Sequence, residues 1–126
     1  MEKKDVQPDI TLLLVDDEED FVRVLAKRMS KRGIRATGTG CGTEAIKMLR
    51  KEDFDVAVLD LKMKDMDGLE VLKIFKKMCE KMPVIMLTGH GSLEAAKQGM
   101  ELGAFAYLSK PCEFEELMQK IGEAVA

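Results

Sequence analysis

No stretch of this 126-residue chain is apolar for anything near the ~20 residues that a membrane helix needs. Met1-Glu-Lys-Lys-Asp5 leads into no signal-peptide core either. Positive charge is also short. Lys and Arg number 20 against 23 Asp and Glu, a net charge of −3, so the chain lacks the clustered basic surface that nucleic acid requires. Neither a membrane nor nucleic acid is expected as a direct partner. Cysteine is scarce: Cys41, Cys79 and Cys112 are odd in number, widely spaced and free of any C-x-x-C pattern. That argues against a zinc site and a disulfide framework, and predicts three free thiols in a reducing cytoplasm. The single histidine, His90, stands between Gly89 and Gly91. Without partner ligands it reads as a residue at the lip of a site rather than as a metal ligand.

What remains is the balance of a soluble globular protein, 46% hydrophobic and 34% charged. The length fits one domain, which buries roughly two-thirds of its unfolded surface. No linker, repeat or low-complexity block interrupts it. Residues 1–8 read as a short mobile tail and 9–126 as one domain. The ten methionines fall mostly at apolar positions of predicted helices, where they fill core.

Short apolar runs alternate five times with longer amphipathic segments. Thr11-Leu-Leu-Leu-Val15, Asp55-Val-Ala-Val-Leu-Asp60 and Pro83-Val-Ile-Met-Leu-Thr88 are continuous enough to be strands buried on both faces. Ile34 to Gly38 and Phe105 to Ser109 are more polar and belong nearer the edges of a sheet. Helical spacing links Phe21, Val24, Leu25, Arg28 and Met29, with Gly33 as a stop. A second helix runs from Thr43 to Lys51 with Ile46 and Leu49 on one face. A third, opened by Asp67-Gly68, carries Leu69, Leu72, Ile74, Phe75 and Met78. Ser92 caps a fourth with Ala95, Ala96 and Met100 inward and Gly103 beyond its end. Phe114, Leu117, Met118, Ile121 and Val125 form the stripe of the fifth. Strict β-α alternation predicts a doubly wound α/β fold, a parallel sheet with helices on both faces and right-handed crossovers. Such sheets bind ligands at the carboxyl ends of their strands, near the point where strand order reverses.

Three acids fall at such ends. Asp16 and Asp17 follow the first strand and Asp60 ends the third, which is the neighbour of the first in a doubly wound sheet. Two carboxylates about 4 Å apart repel by roughly 1 kcal/mol in water and about 4 kcal/mol at an intermediate effective dielectric. A hard divalent cation offsets that repulsion, and Mg²⁺ is expected because it keeps waters and accepts phosphate oxygens. Each Asp taken singly could simply cap the turn or helix that follows it. Thr88 ends the fourth strand and Lys110 ends the fifth, followed by Pro111. A hydroxyl and an ammonium both suit phosphoryl oxygens. The ring thus offers a nucleophilic carboxylate, a metal and two phosphate donors, enough for in-line transfer to a carboxylate.

Leu12-Leu-Leu-Val-Asp-Asp17, Val58-Leu-Asp-Leu-Lys-Met63 with Gly68, Thr88-Gly89 and Tyr107-Leu-Ser-Lys-Pro111 together resemble the receiver domain of two-component response regulators. The resemblance spans about residues 10–125, with the motifs in order. It implies a flavodoxin-like five-stranded sheet of order 2-1-3-4-5, so that 9–126 is a receiver domain. It implies Asp60 as phosphoacceptor, with a sensor histidine kinase or a histidine phosphotransfer domain as the donor. It further implies Mg²⁺ bound by Asp17, Asp60 and the carbonyl of Lys62, with Asp16 acting mostly through water. Thr88 and Lys110 would bind the phosphoryl group, and Tyr107 would be an aromatic switch. Output would pass to an effector through the fourth helix, fifth strand and fifth helix. Lys62 and His90 would lie beside the phosphoryl group and set its lifetime, and the Lys110–Pro111 bond would be cis. On this reading the chain is no enzyme beyond its own phosphorylation and dephosphorylation. One departure is Lys64, where the family often has proline, which leaves the stiffness of the acceptor loop for the structure to establish.

Two other readings remain open. A Mg²⁺-dependent aspartyl phosphatase would place nucleophile and acid two residues apart after the first strand and would need extra chain for a cap. A degenerate, constitutive receiver-like binding module would not need Asp16, Asp17, Asp60, Thr88 and Lys110. The Thr88-Gly-His-Gly91 and Gly103-Ala-Phe-Ala-Tyr107 stretches resemble receivers found ahead of transcription-activating ATPase domains or fused to sensor kinases. A piece of a longer regulator and a stand-alone one are both compatible with the sequence.

Overall fold

The computed structural model describes residues 9–89 and 92–126; the tail expected at 1–8 and the histidine at position 90 lie outside the described residues. Five strands, β1 (Ile10–Val15), β2 (Ile34–Thr39), β3 (Val56–Leu59), β4 (Val84–Thr88) and β5 (Ala106–Ser109), alternate with five helices. The helices are α1 (Glu19–Ser30), α2 (Gly42–Lys51), α3 (Gly68–Met78), α4 (Leu93–Glu101) and α5 (Phe114–Val125). All strand pairs are parallel, in the order β2-β1-β3-β4-β5. The doubly wound sheet expected from the sequence is therefore present, with its two more polar strands at the edges.

Alternation along the strands divides the core. Leu13, Val15, Ala57, Leu59, Val84 and Met86 face α2 and α3, where Ala45, Val71, Leu72 and Phe75 meet them. Leu12, Leu14, Val56, Val58, Ile85 and Leu87 face α1 and α5, against Leu25, Met29, Leu117 and Ile121. Every residue of β3 and β4 is buried, which is why those segments read as unbroken apolar runs rather than as alternating ones. The helix ends follow local chemistry. Asp67 caps α3 by accepting from the Leu69 amide, and Ser92 caps α4 by accepting from the Ala95 amide. Gly33 and Gly103 turn the chain after α1 and α4 with φ of 82° and 106°, a region that only glycine enters cheaply.

One inward assignment, Met100, needs correction, and Val24, which helical spacing links to the α1 stripe, lies outside it. Val24 is 54% exposed and Met100 46% exposed. In α1 the buried stripe is the narrow pair Leu25 and Met29, and Val24 lies one residue, about 100° of turn, off it. In α4 the buried residue is Gly99. A Cβ there would run into the thioether end of Met86, so the glycine allows the helix to approach β4, and Met100 then points outward. The glycine has a packing reason and is no mark of a loose helix.

The strand order positions the site. From β1 the chain winds outward to β2, then returns past β1 to β3, so the order reverses between β1 and β3. Val15 and Leu59 are register partners, and the next residues are Asp16 and Asp60. The Asp60 amide donates to the Val15 carbonyl at 2.9 Å, and the Asp16 amide donates to the Thr39 carbonyl at 2.9 Å. Backbone pairing alone thus brings two carboxylates to the same level on neighbouring strands.

Candidate functional site

Asp16, Asp17 and Asp60 each direct a carboxylate oxygen to within 4.8 Å of the others. Asp16 and Asp60 are buried, and Asp17 is half-buried. The donor set is all oxygen and anionic, with a compactness that suits a hard cation such as Mg²⁺. Asp16 is held from both sides, since its Oδ1 accepts from the Glu18 amide at 2.9 Å and its Oδ2 from the Lys110 ammonium at 2.6 Å. Asp60 Oδ1 accepts a long bond of 3.4 Å from the Lys62 amide.

Lys110 is the cation of the site. Its Nζ lies 2.6 Å from Asp16, 2.7 Å from Glu18 and 3.6 Å from Asp60, with the Phe21 ring centroid 4.3 Å away. The peptide bond that follows, to Pro111, is cis. Burial pushes the Asp16 carboxyl above its ordinary value and outweighs the lowering pull of Lys110. Burial opposes charge on Lys110 as well, but the bonds to Asp16 and Glu18 raise the ammonium above its ordinary value. The lysine is therefore charged throughout the physiological range.

Thr88 is buried at the end of β4, in register with Ser109, and its carbonyl accepts the Lys110 amide at 3.0 Å. Tyr107 is half-buried, opposite Met86 on β4 and packed on the α2–α3 side of the core. The Lys62 side chain is exposed, and its backbone forms an isolated bridge with Asp67. The structure thus joins Asp16, Asp17, Asp60 and Lys110 in one cluster. Tyr107 lies apart from it, and His90 falls outside the described residues.

Two acids were missed by reading the sequence. Glu18 follows the acid pair directly, and its adjacency was the available signal. Asp65 lies in the loop after β3 and accepts from the Gly42 and Thr43 amides at the start of α2. Contacts over 22 to 92 residues of separation leave no local pattern to read.

A doubly wound α/β domain with an acid cluster and a lysine at its topological switch point is the class that these observations define. The family model of the response regulator receiver domain matches residues 12–122, and the chain belongs to that family. Among curated proteins it is 35% identical over 114 residues to the transcriptional regulatory protein GlrR of Escherichia coli (strain K12), covering 90% of this chain and 26% of that protein. The chain spans about a quarter of the length of the curated relatives it matches. Among solved structures, a CheY-like response regulator receiver domain protein from Methanospirillum hungatei JF-1 superposes with a TM-score of 0.90 at 30% identity, over 93% of this chain and 94% of that one. A response regulator from Burkholderia pseudomallei, solved with a phosphorylated aspartic acid, a calcium ion and citrate, gives 0.85 at 28% identity, over 90% and 66%.

Lys110→Met tests the electrostatics directly. Without the ammonium, buried Asp16 and Asp60 face each other uncompensated, and metal-free stability at neutral pH should fall by about 3 kcal/mol. Asp16 already has a raised folded pKa. A carboxyl of that kind takes its proton more readily in the folded chain, so stability is regained as pH falls through that value. Urea unfolding of both proteins should therefore show a gap that narrows as pH falls from neutral toward the ordinary carboxylate range. A constant gap would mean that Lys110 contributes packing and not charge.

Proposed function

We propose that this receiver domain is a phosphorylation-driven switch in which Asp60 accepts a phosphoryl group from a sensor histidine kinase or a histidine phosphotransfer domain. The observation that carries this reading is the cluster of Asp60 with Asp16 and Asp17, with the Lys110 ammonium 3.6 Å from the Asp60 carboxylate. The phosphorylated aspartic acid of the Burkholderia pseudomallei relative supports it. Mg²⁺ held by Asp17, Asp60 and the Lys62 carbonyl, with Asp16 acting mostly through water, would neutralise charge on the phosphoryl oxygens.

In the transfer step, an Asp60 carboxylate oxygen attacks phosphorus in line. A new O–P bond forms as the bond to the donor nitrogen breaks, and the departing imidazole keeps the electron pair. Lys110 moves its ammonium from Asp16 and Glu18 toward a phosphoryl oxygen, and the Thr88 hydroxyl donates to another. Bonds of this charge-assisted kind contribute roughly 1.5–3 kcal/mol each, comparable to the ~1–3 kcal/mol of typical allosteric coupling. Lys62 and His90 govern the lifetime of the acyl phosphate. The chain acts on no external substrate. The unpaired thiols of Cys41, Cys79 and Cys112 support a reducing, cytoplasmic setting.

The output surface is formed by α4, β5 and α5, with an effector domain or protein as its reader. As Thr88 draws toward the phosphoryl group, Tyr107 turns inward and carries the change to α4. Support comes from how lightly α4 is held. Gly99 is its buried residue, and Leu93 is 89% exposed. Few buried contacts place a segment at the low-stability end of the fold. The ease of movement comes from this sparse burial and not from flexibility at Gly99.

Incubation with Mg²⁺ and a small phosphodonor should add one phosphate to the wild-type chain by intact mass, and none to Asp60→Asn. Full uptake by the variant would move the acceptor to another residue. No uptake by the wild type would favour a constitutive binding module. Amide chemical shifts recorded before and after phosphorylation should change across α4, β5 and α5 as well as at the acid pocket. Changes confined to the pocket would rule out the output surface.

A further inference from the structure

The loop between β3 and α3 carries Lys62 and follows Asp60 directly, so its placement bears on the whole acid cluster. Locally it is pinned by the Lys62–Asp67 bridge and by the Gly68 amide, which donates to the Leu61 carbonyl at 2.7 Å. A third tie reaches another part of the chain. The Asp65 carboxylate accepts from the Gly42 amide at 2.9 Å, the Thr43 amide at 3.0 Å, the Thr43 hydroxyl at 2.9 Å and the Cys41 thiol at 3.1 Å. These donors hold its carboxyl well below the usual carboxylate range, the Thr43 and Gly42 amides contributing most. Asp65 in turn supplies the acceptor that α2 lacks, because its own N-cap residue, Cys41, makes no side-chain cap.

The segment that Asp65 grips stands beside the other half of the acid cluster. A Cβ on Gly40 would lie 3.1 Å from the Asp17 Cα and 3.4 Å from the Asp16 carbonyl oxygen, so the turn into α2 runs hard against the acid pair. A Cβ on Gly42 would come within 3.2 Å of Met66, so the start of α2 also packs against the acceptor loop. A closed ring results, running from the acid pair to the α2 turn, through Asp65 to the acceptor loop, and back to Asp60.

We infer that Asp65 is a positioning residue for the acid cluster, tying the acceptor loop to the start of α2 and thereby fixing Asp60 relative to Asp17. It touches neither metal nor phosphoryl group. Its effect is to hold two loops in register so that the carboxylates they flank meet a cation without rearrangement. This rests on the reading of the cluster as a Mg²⁺ site.

Calorimetric titration of the 126-residue chain with Mg²⁺ tests it. Asp65→Ala should bind roughly tenfold more weakly than wild type, the low end of what losing an outer partner costs a metal site. Asp65→Asn, which has nearly the same shape and keeps one acceptor oxygen, should fall between them. The ratio should persist at about 1 M salt, where the mere loss of an exposed charge is screened. Adding Cys41→Ser to Asp65→Ala gives α2 a cap of its own. That double variant should recover the metal-free melting temperature but not the Mg²⁺ affinity. Equal affinities, a loss that vanishes in salt, or affinity restored by the serine would each overturn the inference while leaving the metal site standing. A wild-type chain that takes up no Mg²⁺ would overturn both.

Discussion

Like charge gathered at the reversal of strand order is the constraint to which the rest of the site answers. Backbone pairing of β1 with β3 puts Asp16 and Asp60 side by side whatever their side chains prefer, and Asp17 and Glu18 add two more carboxylates within a turn of chain. Lys110 is the one ammonium that the described contacts bring to them. β5 lies at the edge of the sheet beyond β4, so the Lys110 side chain meets acids that follow β1 and β3 from two strands and more away. Around 4 Å the repulsion of a carboxylate pair amounts to a few kcal/mol at intermediate dielectric, a sizeable part of a domain's ~5–15 kcal/mol of stability. One lysine offsets part of that. The remainder is what makes the cluster receptive to a divalent cation.

The same arrangement links chemistry to shape. Lys110 is shared among Asp16, Glu18 and Asp60 and is closest to the two acids of the β1 loop. The phosphoryl group proposed for Asp60 would offer the ammonium a stronger partner and shift the charge balance of three loops together. The core behind them is fully buried in β3 and β4, so it yields little. Among the described helices α4 is the one with a single buried residue, which is why the proposed movement is assigned to it.

Much of this was legible in the sequence because it rests on local pattern. Continuous apolar runs marked β1, β3 and β4, their polar counterparts marked the edge strands, and the acids stood where those runs stopped. Ser92 and Asp67 announced their helices by capping chemistry. The parts that did not show are those decided by distant partners. Asp65 carries no local signal, because its hold on α2 depends on two segments more than 20 residues apart meeting in space. Val24 and Met100 fit a helical stripe by spacing, yet how far a stripe is buried depends on how closely the helix approaches the sheet. At α4 that approach is set by Gly99 against Met86, a contact that no periodicity reveals.

If uncompensated charge at the strand ends governs this domain, a divalent cation must stabilise it. Thermal unfolding of the wild-type chain across a Mg²⁺ series gives the most direct reading, since a ligand bound only by the folded state raises the midpoint with concentration. A midpoint that climbs with Mg²⁺ and stays flat with an equal ionic strength of Na⁺ is the predicted result. Identical melting temperatures over the whole Mg²⁺ range would contradict it.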